Sequence, residues 1–201
     1  TDQKIKMIFL SSGGTVYGNQ EIQPITEDAL PRPINHYGNV KLCIENTIRT
    51  FNYQAHTKIL IARISNPYGP GQDFNKGVGF IDAAIKKTIR SEKIEIWGDG
   101  NNVRDYIYID DVCRMLISLF YYQEDYDTFN ISSNTGTSQR DVIRMLEAMQ
   151  LAPQVEYLPA RSVDAKKIIL NNERIMSIHA VPLVPVEQGI RKYYQWLKKE
   201  I

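Results

Sequence analysis

The chain has 201 residues, with 24 Lys and Arg against 23 Asp and Glu, for a net charge of +1. That length fits one ordinary domain with a real core, and the near-neutral balance implies no charge field for nucleic acid or a membrane surface. With no signal peptide and no apolar run near the ~20 residues of a membrane span, a cytoplasmic globular protein is expected.

In chain order, Met7-Ile8-Phe9-Leu10 reads as a fully buried strand that opens into the small-residue turn Ser11-Ser12-Gly13-Gly14-Thr15. The polar, proline-bearing stretch 19–33 is a loop. Asn35-His36-Tyr37-Gly38-Asn39-Val40-Lys41 then starts an amphipathic helix running to about Gln54 through Leu42, Ile44 and Ile48. Tyr37 and Lys41 lie one turn apart on one face of it. An ammonium beside a phenol favours the phenolate, and a phenol tuned in that way can take a proton from a sugar hydroxyl and return it. Lys58 to Ile64 is a second buried strand, ending in Ser65-Asn66-Pro67-Tyr68-Gly69-Pro70-Gly71. Strand, helix and strand at this spacing predict a βαβ unit with a parallel pair.

Beyond Gly71, helices are predicted over Phe80–Ile89, Val112–Tyr122, Ser138–Met149 and Val186–Lys199. Asp110 or Asp111 is the expected cap of the second, a capping box at Ser138 opens the third, and Ile190, Tyr194 and Leu197 face inward on the fourth. Strands are predicted at Ile94–Trp97, Arg104–Ile109, Phe129–Ile131 and Val155–Leu158. Cys43 and Cys113 sit in apolar helical patterns and read as buried reduced thiols. With His36, His56 and His179 scattered, no metal-ligand spacing occurs.

The fold class is therefore α/β: the C-terminal part of a Rossmann-type parallel sheet over 1–70, then a smaller mixed α/β substrate-binding lobe over 71–201. No Gly-x-Gly-x-x-Gly follows a strand, and the first strand has no preceding element to pair with. Both features predict that an N-terminal part carrying the dinucleotide fingerprint is missing from this chain.

Several motifs occur in one order: Ser11-Ser12-Gly13-Gly14-Thr15-Val16-Tyr17-Gly18, Tyr37-x-x-x-Lys41, Arg63-x-x-Asn66-x-Tyr68-Gly69-Pro70-Gly71, Gly98-Asp99-Gly100 leading to Arg104-Asp105-Tyr106, and Arg161-x-x-Asp164. In these the chain resembles the extended short-chain dehydrogenase/reductase family, in its branch of nucleotide-sugar epimerases and dehydratases. The resemblance implies Tyr37 as acid/base, with Lys41 tuning it and holding the nicotinamide ribose of NAD (NADP is the alternative). Gly13 and Ser65 would lie against that cofactor. Asn66, Gly77, Val78, Trp97, Arg104, Arg161, Asp164 and Ile168 would bind the nucleotide sugar. The two arginines would clamp the diphosphate, Asp164 the ribose, and Ile168 would lie where relatives admit or exclude an N-acetyl group.

One position departs from the family pattern. The hydroxyl residue three before Val16 is Gly13 here, leaving Ser12 or Thr15 to share the substrate hydroxyl. Dehydratases of this kind carry an Asp-Glu pair where Gly14 and Thr15 stand, so epimerisation at C4 of a UDP-glucose or UDP-N-acetylglucosamine type of sugar is the implied reaction. Two other readings stand beside it: a reductase or dehydratase on another nucleotide sugar, and a non-catalytic nucleotide-sugar-binding fragment. The partners expected are the nucleotide sugar and a second copy, joined through the Tyr37/Lys41 helix.

Overall fold

The computed structural model describes residues 6–72, 79–160 and 166–200. The elements are β1 (Ile8–Ser12), α1 (Gly13–Val16), α2 (His36–Ala55), β2 (Leu60–Ile64), β3 (Asn66–Tyr68), α3 (Phe80–Ile89), β4 (Lys93–Trp97), β5 (Val103–Tyr108), α4 (Ile109–Tyr121), β6 (Thr128–Ile131), β7 (Gly136–Ser138), α5 (Gln139–Ala148), β8 (Gln154–Leu158), β9 (Lys167–Ile168), α6 (Glu173–Met176) and α7 (Val186–Glu200). The fold is mixed α/β with parallel sheets, as the sequence predicts.

The predicted βαβ unit is present. β1 pairs parallel with β2, from Ile8 opposite Leu60 to Ser12 opposite Ile64, and β6 adds parallel on the far side of β2. β2 thus has neighbours on both edges, and its Leu-Ile-Ala-Arg-Ile run is buried almost throughout. A second sheet takes β5 as its middle strand, with β3 parallel, β7 antiparallel and β9 parallel to it. β4 and β8 form a parallel pair of their own.

Two large cores follow. One gathers Ile81, Ile85, Ile94, Ile96, Val142, Leu146, Ile190 and Tyr193 from α3, β4, α5 and α7. The other packs α4, through Val112, Met115 and Leu119, against Leu60, Ala62, Phe129 and Ile131 of the first sheet. α5 starts with the predicted capping box: Ser138 accepts from Asp141 N, and its own N–H donates to the Asp141 carboxylate at 3.0 Å.

Several expectations are corrected. β1 is not fully buried. Its outer edge has no strand partner among the described residues, Leu10 is 46% exposed, and Lys41 Nζ donates to the Leu10 carbonyl at 2.9 Å. α2 buries only Gly38 and Glu45, while Val40, Ile44 and Phe51 point outward. Cys43 and Cys113 are both exposed, because each lies on the outward face of its helix. Neither Asp110 nor Asp111 caps α4. Tyr108 holds that position, and the buried Asp111 instead pairs with Arg114 and accepts from Val184 N. On α7 the fully buried ring is Tyr193, and the expected Tyr194, half-buried, also packs against the first core. The segment read as a polar turn after β2 contains β3, whose Tyr68 is buried.

Candidate active site

Two neighbouring parts make up the site. The first stands over the carboxyl ends of β1 and β2. Asn35 caps α2 by accepting from Gly38 N at 2.8 Å, which sets Tyr37 and Lys41 in the first turns. Tyr37 is 56% exposed. The Lys41 ammonium lies 5.7 Å from the centre of its ring and 4.9 Å from that of Phe9. α2 can come this near because residue 38 is glycine: a Cβ there would meet the Thr15 carbonyl oxygen at 2.4 Å. Thr15 is therefore brought beside Tyr37's turn, and its buried hydroxyl has no hydrogen-bond partner among the described residues. Ser12 precedes α1 without making a side-chain cap. The space beside Gly13 is taken by Leu170, whose Cδ1 stands 2.3 Å from where a Cβ would be. Nothing lies within 4 Å of the same point at Gly14, so a larger side chain has room there.

Beneath α2 lies a polar cluster that the sequence reading did not single out. Glu45, fully buried, accepts from Ser11 Oγ at 2.5 Å and from Arg63 Nη2 at 2.6 Å. Arg63, only 1% exposed, places its guanidinium 4.7 Å from the Tyr17 ring. Burial pushes the Tyr17 phenol up to about 12, against the pull of that guanidinium. Burial also opposes the Arg63 charge, yet the Glu45 carboxylate holds its pKa above the usual range. The available signals were a Glu one turn past Lys41 and an Arg inside an otherwise apolar strand.

The second part follows from the end of β2. Ser65, buried, donates to Asp105 Oδ1 at 3.3 Å, and Asn66 Nδ2 donates to the Asp105 carbonyl at 3.0 Å. A cavity of about 230 Å³ opens there, with Asn66, Trp97, Asn102, Arg104, Tyr106 and Gln139 in its wall. Three predicted substrate residues, Asn66, Trp97 and Arg104, thus meet around one space. The Gly98-Asp99-Gly100 turn beside it needs its glycines, at φ 85° and 76°. Arg140 braces that turn by donating to the Asp99 carbonyl at 2.5 Å and lying over the Tyr157 ring.

Asp105 stands in the Arg104-Asp105-Tyr106 motif, but the sequence reading gave it no role of its own. It is fully buried and accepts from Ser133 N at 2.9 Å, Ser133 Oγ at 2.8 Å, Asn134 N at 3.1 Å and Leu170 N at 3.2 Å. Burial pushes its carboxyl up to about 6, opposed by those hydrogen bonds. Beyond that motif, its sequence signal was a charge in the middle of a buried strand.

Ile168 lies on β9 opposite Arg104, buried in a small core with Tyr17, Ile25 and Leu170 rather than in the cavity wall. Gly77, Val78, Arg161 and Asp164 lie outside the described residues. Among those described, no group of three or more His, Cys, Asp or Glu could hold a metal ion. No described helix is long and apolar enough to cross a membrane.

The sequence pattern of the NAD dependent epimerase/dehydratase family matches residues 1–132. The chain belongs to that family. Among relatives, a putative UDP-glucose 4-epimerase of Methanocaldococcus jannaschii is 28% identical over 96% of this chain and 63% of its own length. The dTDP-4-dehydro-6-deoxyglucose reductase of Escherichia coli is 33% identical over 93% of this chain and 60% of its own. Among solved structures, the UDP-glucose 4-epimerase of Thermotoga maritima with UDP-glucose superposes with a TM-score of 0.90 at 31% identity, covering 97% of this chain and 64% of that one. The chain thus spans about three fifths of the length of the curated relatives it matches. For a member of the epimerase/dehydratase family the layout has a chemical logic. A phenol, an ammonium and two small hydroxyl residues stand at the strand ends, and a planar cation lines the cavity that opens where the chain leaves β2.

Proposed function

We propose that the protein is an NAD-dependent enzyme that inverts C4 of a nucleotide sugar of the UDP-glucose or UDP-N-acetylglucosamine type. The observation that carries this is that Lys41, beside the exposed Tyr37, bonds the Leu10 carbonyl of β1, while the paired strand β2 leads within two residues to Asn66 in the wall of the cavity that Trp97 and Arg104 share. Residues 1–70 would belong to the dinucleotide-binding domain, and residues 71–201 mainly to the nucleotide-sugar lobe.

The residues present suit the nicotinamide half of NAD. The Lys41 ammonium already takes a carbonyl oxygen as partner, beside the Tyr37 ring, so ribose hydroxyls are natural acceptors for it, with Ser12 at the end of β1 and Ser65 at the end of β2 nearer the strand ends. NAD, when bound, supplies the hydride acceptor and the later hydride source. Tyr37 takes the proton of the sugar's C4 hydroxyl and returns it after the 4-keto sugar has turned over. The Lys41 ammonium, 5.7 Å from the centre of the Tyr37 ring, puts a positive charge beside it. Ser12 or Thr15 hydrogen-bonds the same substrate oxygen; the Thr15 hydroxyl, without a partner among the described residues, supports it. Asn66 orients the sugar and Arg104 binds the diphosphate, with Trp97, Gly77 and Val78 forming part of the nucleotide cradle and Arg161 and Asp164 completing the pocket. Hydride leaves and returns, so the reaction is redox-neutral overall.

Net reduction of a 4-keto sugar is the second reading, favoured by the 33% identity to the E. coli reductase. We also propose that two copies pair through α2, whose Val40, Ile44 and Phe51 are exposed. Calorimetric titration with UDP, UDP-glucose and UDP-N-acetylglucosamine, followed by product analysis with full-length protein, tests the assignment. Interconversion of C4 epimers at constant NAD supports epimerisation. Stoichiometric consumption of reduced cofactor supports the reductase, and binding without turnover leaves a nucleotide-sugar-binding protein.

A further inference from the structure

We propose that Arg63 is a positioning residue for the Tyr37–Lys41 pair and acts through Glu45, whose carboxylate it holds inside the fold and away from Lys41. The inference rests on the reading of Tyr37 and Lys41 given above. Tyr37, Lys41, Glu45 and Arg49 recur every four residues, so they share one face of α2. A Lys and a Glu one turn apart on a helix ordinarily attract each other. Here they do not pair: Lys41 Nζ donates to the Leu10 carbonyl at 2.9 Å.

The reason lies in what surrounds Glu45. Oε1 accepts from Ser11 Oγ of β1 at 2.5 Å and from Arg63 Nε of β2 at 3.1 Å. Oε2 accepts from Arg63 Nη2 at 2.6 Å and Nε at 3.2 Å, and from Arg49 Nη2 at 3.3 Å. A carboxylate offers about four lone-pair sites, so these five contacts saturate it. The fork of Arg63 is locked in turn from its other face by the Tyr17 ring at 4.7 Å, and Tyr17 OH donates to Asn130 Oδ1 at 2.8 Å. Farther out, Arg49 faces Asp127 at 3.8 Å and Thr128. Remove the Arg63 fork and three of the five contacts go, leaving a carboxylate one turn from an ammonium. Lys41 would then swing toward Glu45 and away from Tyr37 and the cofactor.

The test uses full-length protein and two readouts at Lys41 that need no turnover, so failure of the epimerase reading leaves them intact. Carbodiimide coupling followed by peptide mass spectrometry detects an amide between Lys41 and Glu45. Acetylation with a limiting amine reagent gives the rate at Lys41 relative to Lys58. The parent protein should form no Lys41–Glu45 amide. Arg63→Gln should form it, and should slow Lys41 acetylation about threefold, the size that a partly exposed ion pair supports. In Glu45→Gln/Arg63→Gln, where no carboxylate remains to capture Lys41, the parent rate should return; a merely structural disturbance would persist. A Lys41–Glu45 amide in the parent overturns the proposal, whether or not either variant folds. So does unchanged Lys41 reactivity in folded Arg63→Gln, or slow acetylation that survives in the double variant.

Discussion

Ser65 Oγ donates to Asp105 Oδ1 at 3.3 Å, which ties the end of β2 to the strand that carries Arg104. The same carboxylate receives backbone N–H groups from Ser133, Asn134 and Leu170, so one side chain joins the first sheet's rim, the turn before β7 and the chain leaving β9. Burial raises its pKa from 3.8 to about 6. A raised acid stabilises the fold in its protonated form: that contribution is complete below about pH 4 and lost as pH climbs through 6. Two units correspond to about 3 kcal/mol. Asp105→Asn, which cannot ionise, should lack this slope. Urea midpoints at pH 4.5, 5.5 and 7 should show the parent losing stability relative to the variant as pH rises. A parent–variant difference that stays constant over that window would contradict the assignment.

The contact between α1 and α2 gives a second expectation. A Cβ at Gly38 would meet the Thr15 carbonyl oxygen at 2.4 Å and carbon at 2.8 Å, and neither backbone atom can rotate away. Gly38→Ala should therefore push α2 outward and cost about 1–3 kcal/mol, as overpacking does. Gly14→Ala meets nothing within 4 Å and should leave the thermal midpoint unchanged or slightly higher, since alanine suits a helix better than glycine. Equal midpoints for the two variants would mean that the close approach is not needed.

Much of this architecture was legible in the residues because local pattern and burial agree. Leu60 to Ile64 is apolar almost throughout and becomes the middle strand of its sheet. Ser138 and Asp141 announce α5 through the capping box. Where pattern and environment part, sequence reading fails. Met7 to Leu10 looks like a buried strand, yet its outer edge lacks a strand partner among the described residues. Cys43 lies in an apolar-looking register whose burial depends on what packs against α2, and that is a tertiary fact. The candidate site divides in the same way. Tyr37, Lys41, Asn66 and Arg104 could be given roles from motifs, whereas Arg63 and Asp105, though they stand in quoted motifs, and Glu45, which stands in none, act through pairings 18 to 65 residues apart along the chain, which no local spacing announces.

The cavity predicts a binding phenotype without a folding one. Arg104 lies on its wall beside Asn66 and Trp97. If its guanidinium meets a diphosphate, Arg104→Ala removes a charge-assisted contact worth about 1.5–3 kcal/mol. Affinity for a UDP-sugar should fall roughly 10- to 100-fold by calorimetry. Arg104→Lys should recover part of it, because a point charge keeps the attraction and loses the fork. An alanine variant that binds as tightly as the parent would remove Arg104 from the diphosphate site.

Tyr37 supplies the sharpest division between binding and chemistry. Its ring is more than half exposed, and its proposed task is to move one proton rather than to hold the nucleotide. Tyr37→Phe keeps the ring and deletes the hydroxyl. Full-length protein carrying it should lose about 10²- to 10⁴-fold in turnover, the usual worth of a positioned acid/base. Its UDP-sugar affinity and its thermal midpoint should stay within error of the parent. Lys41→Met should also lower turnover, but with weaker cofactor binding as well, since the ammonium is assigned both to the phenol and to the ribose. Turnover that survives Tyr37→Phe would move the proton transfer to another group, and Thr15, whose buried hydroxyl has no partner among the described residues, would be the next residue to replace.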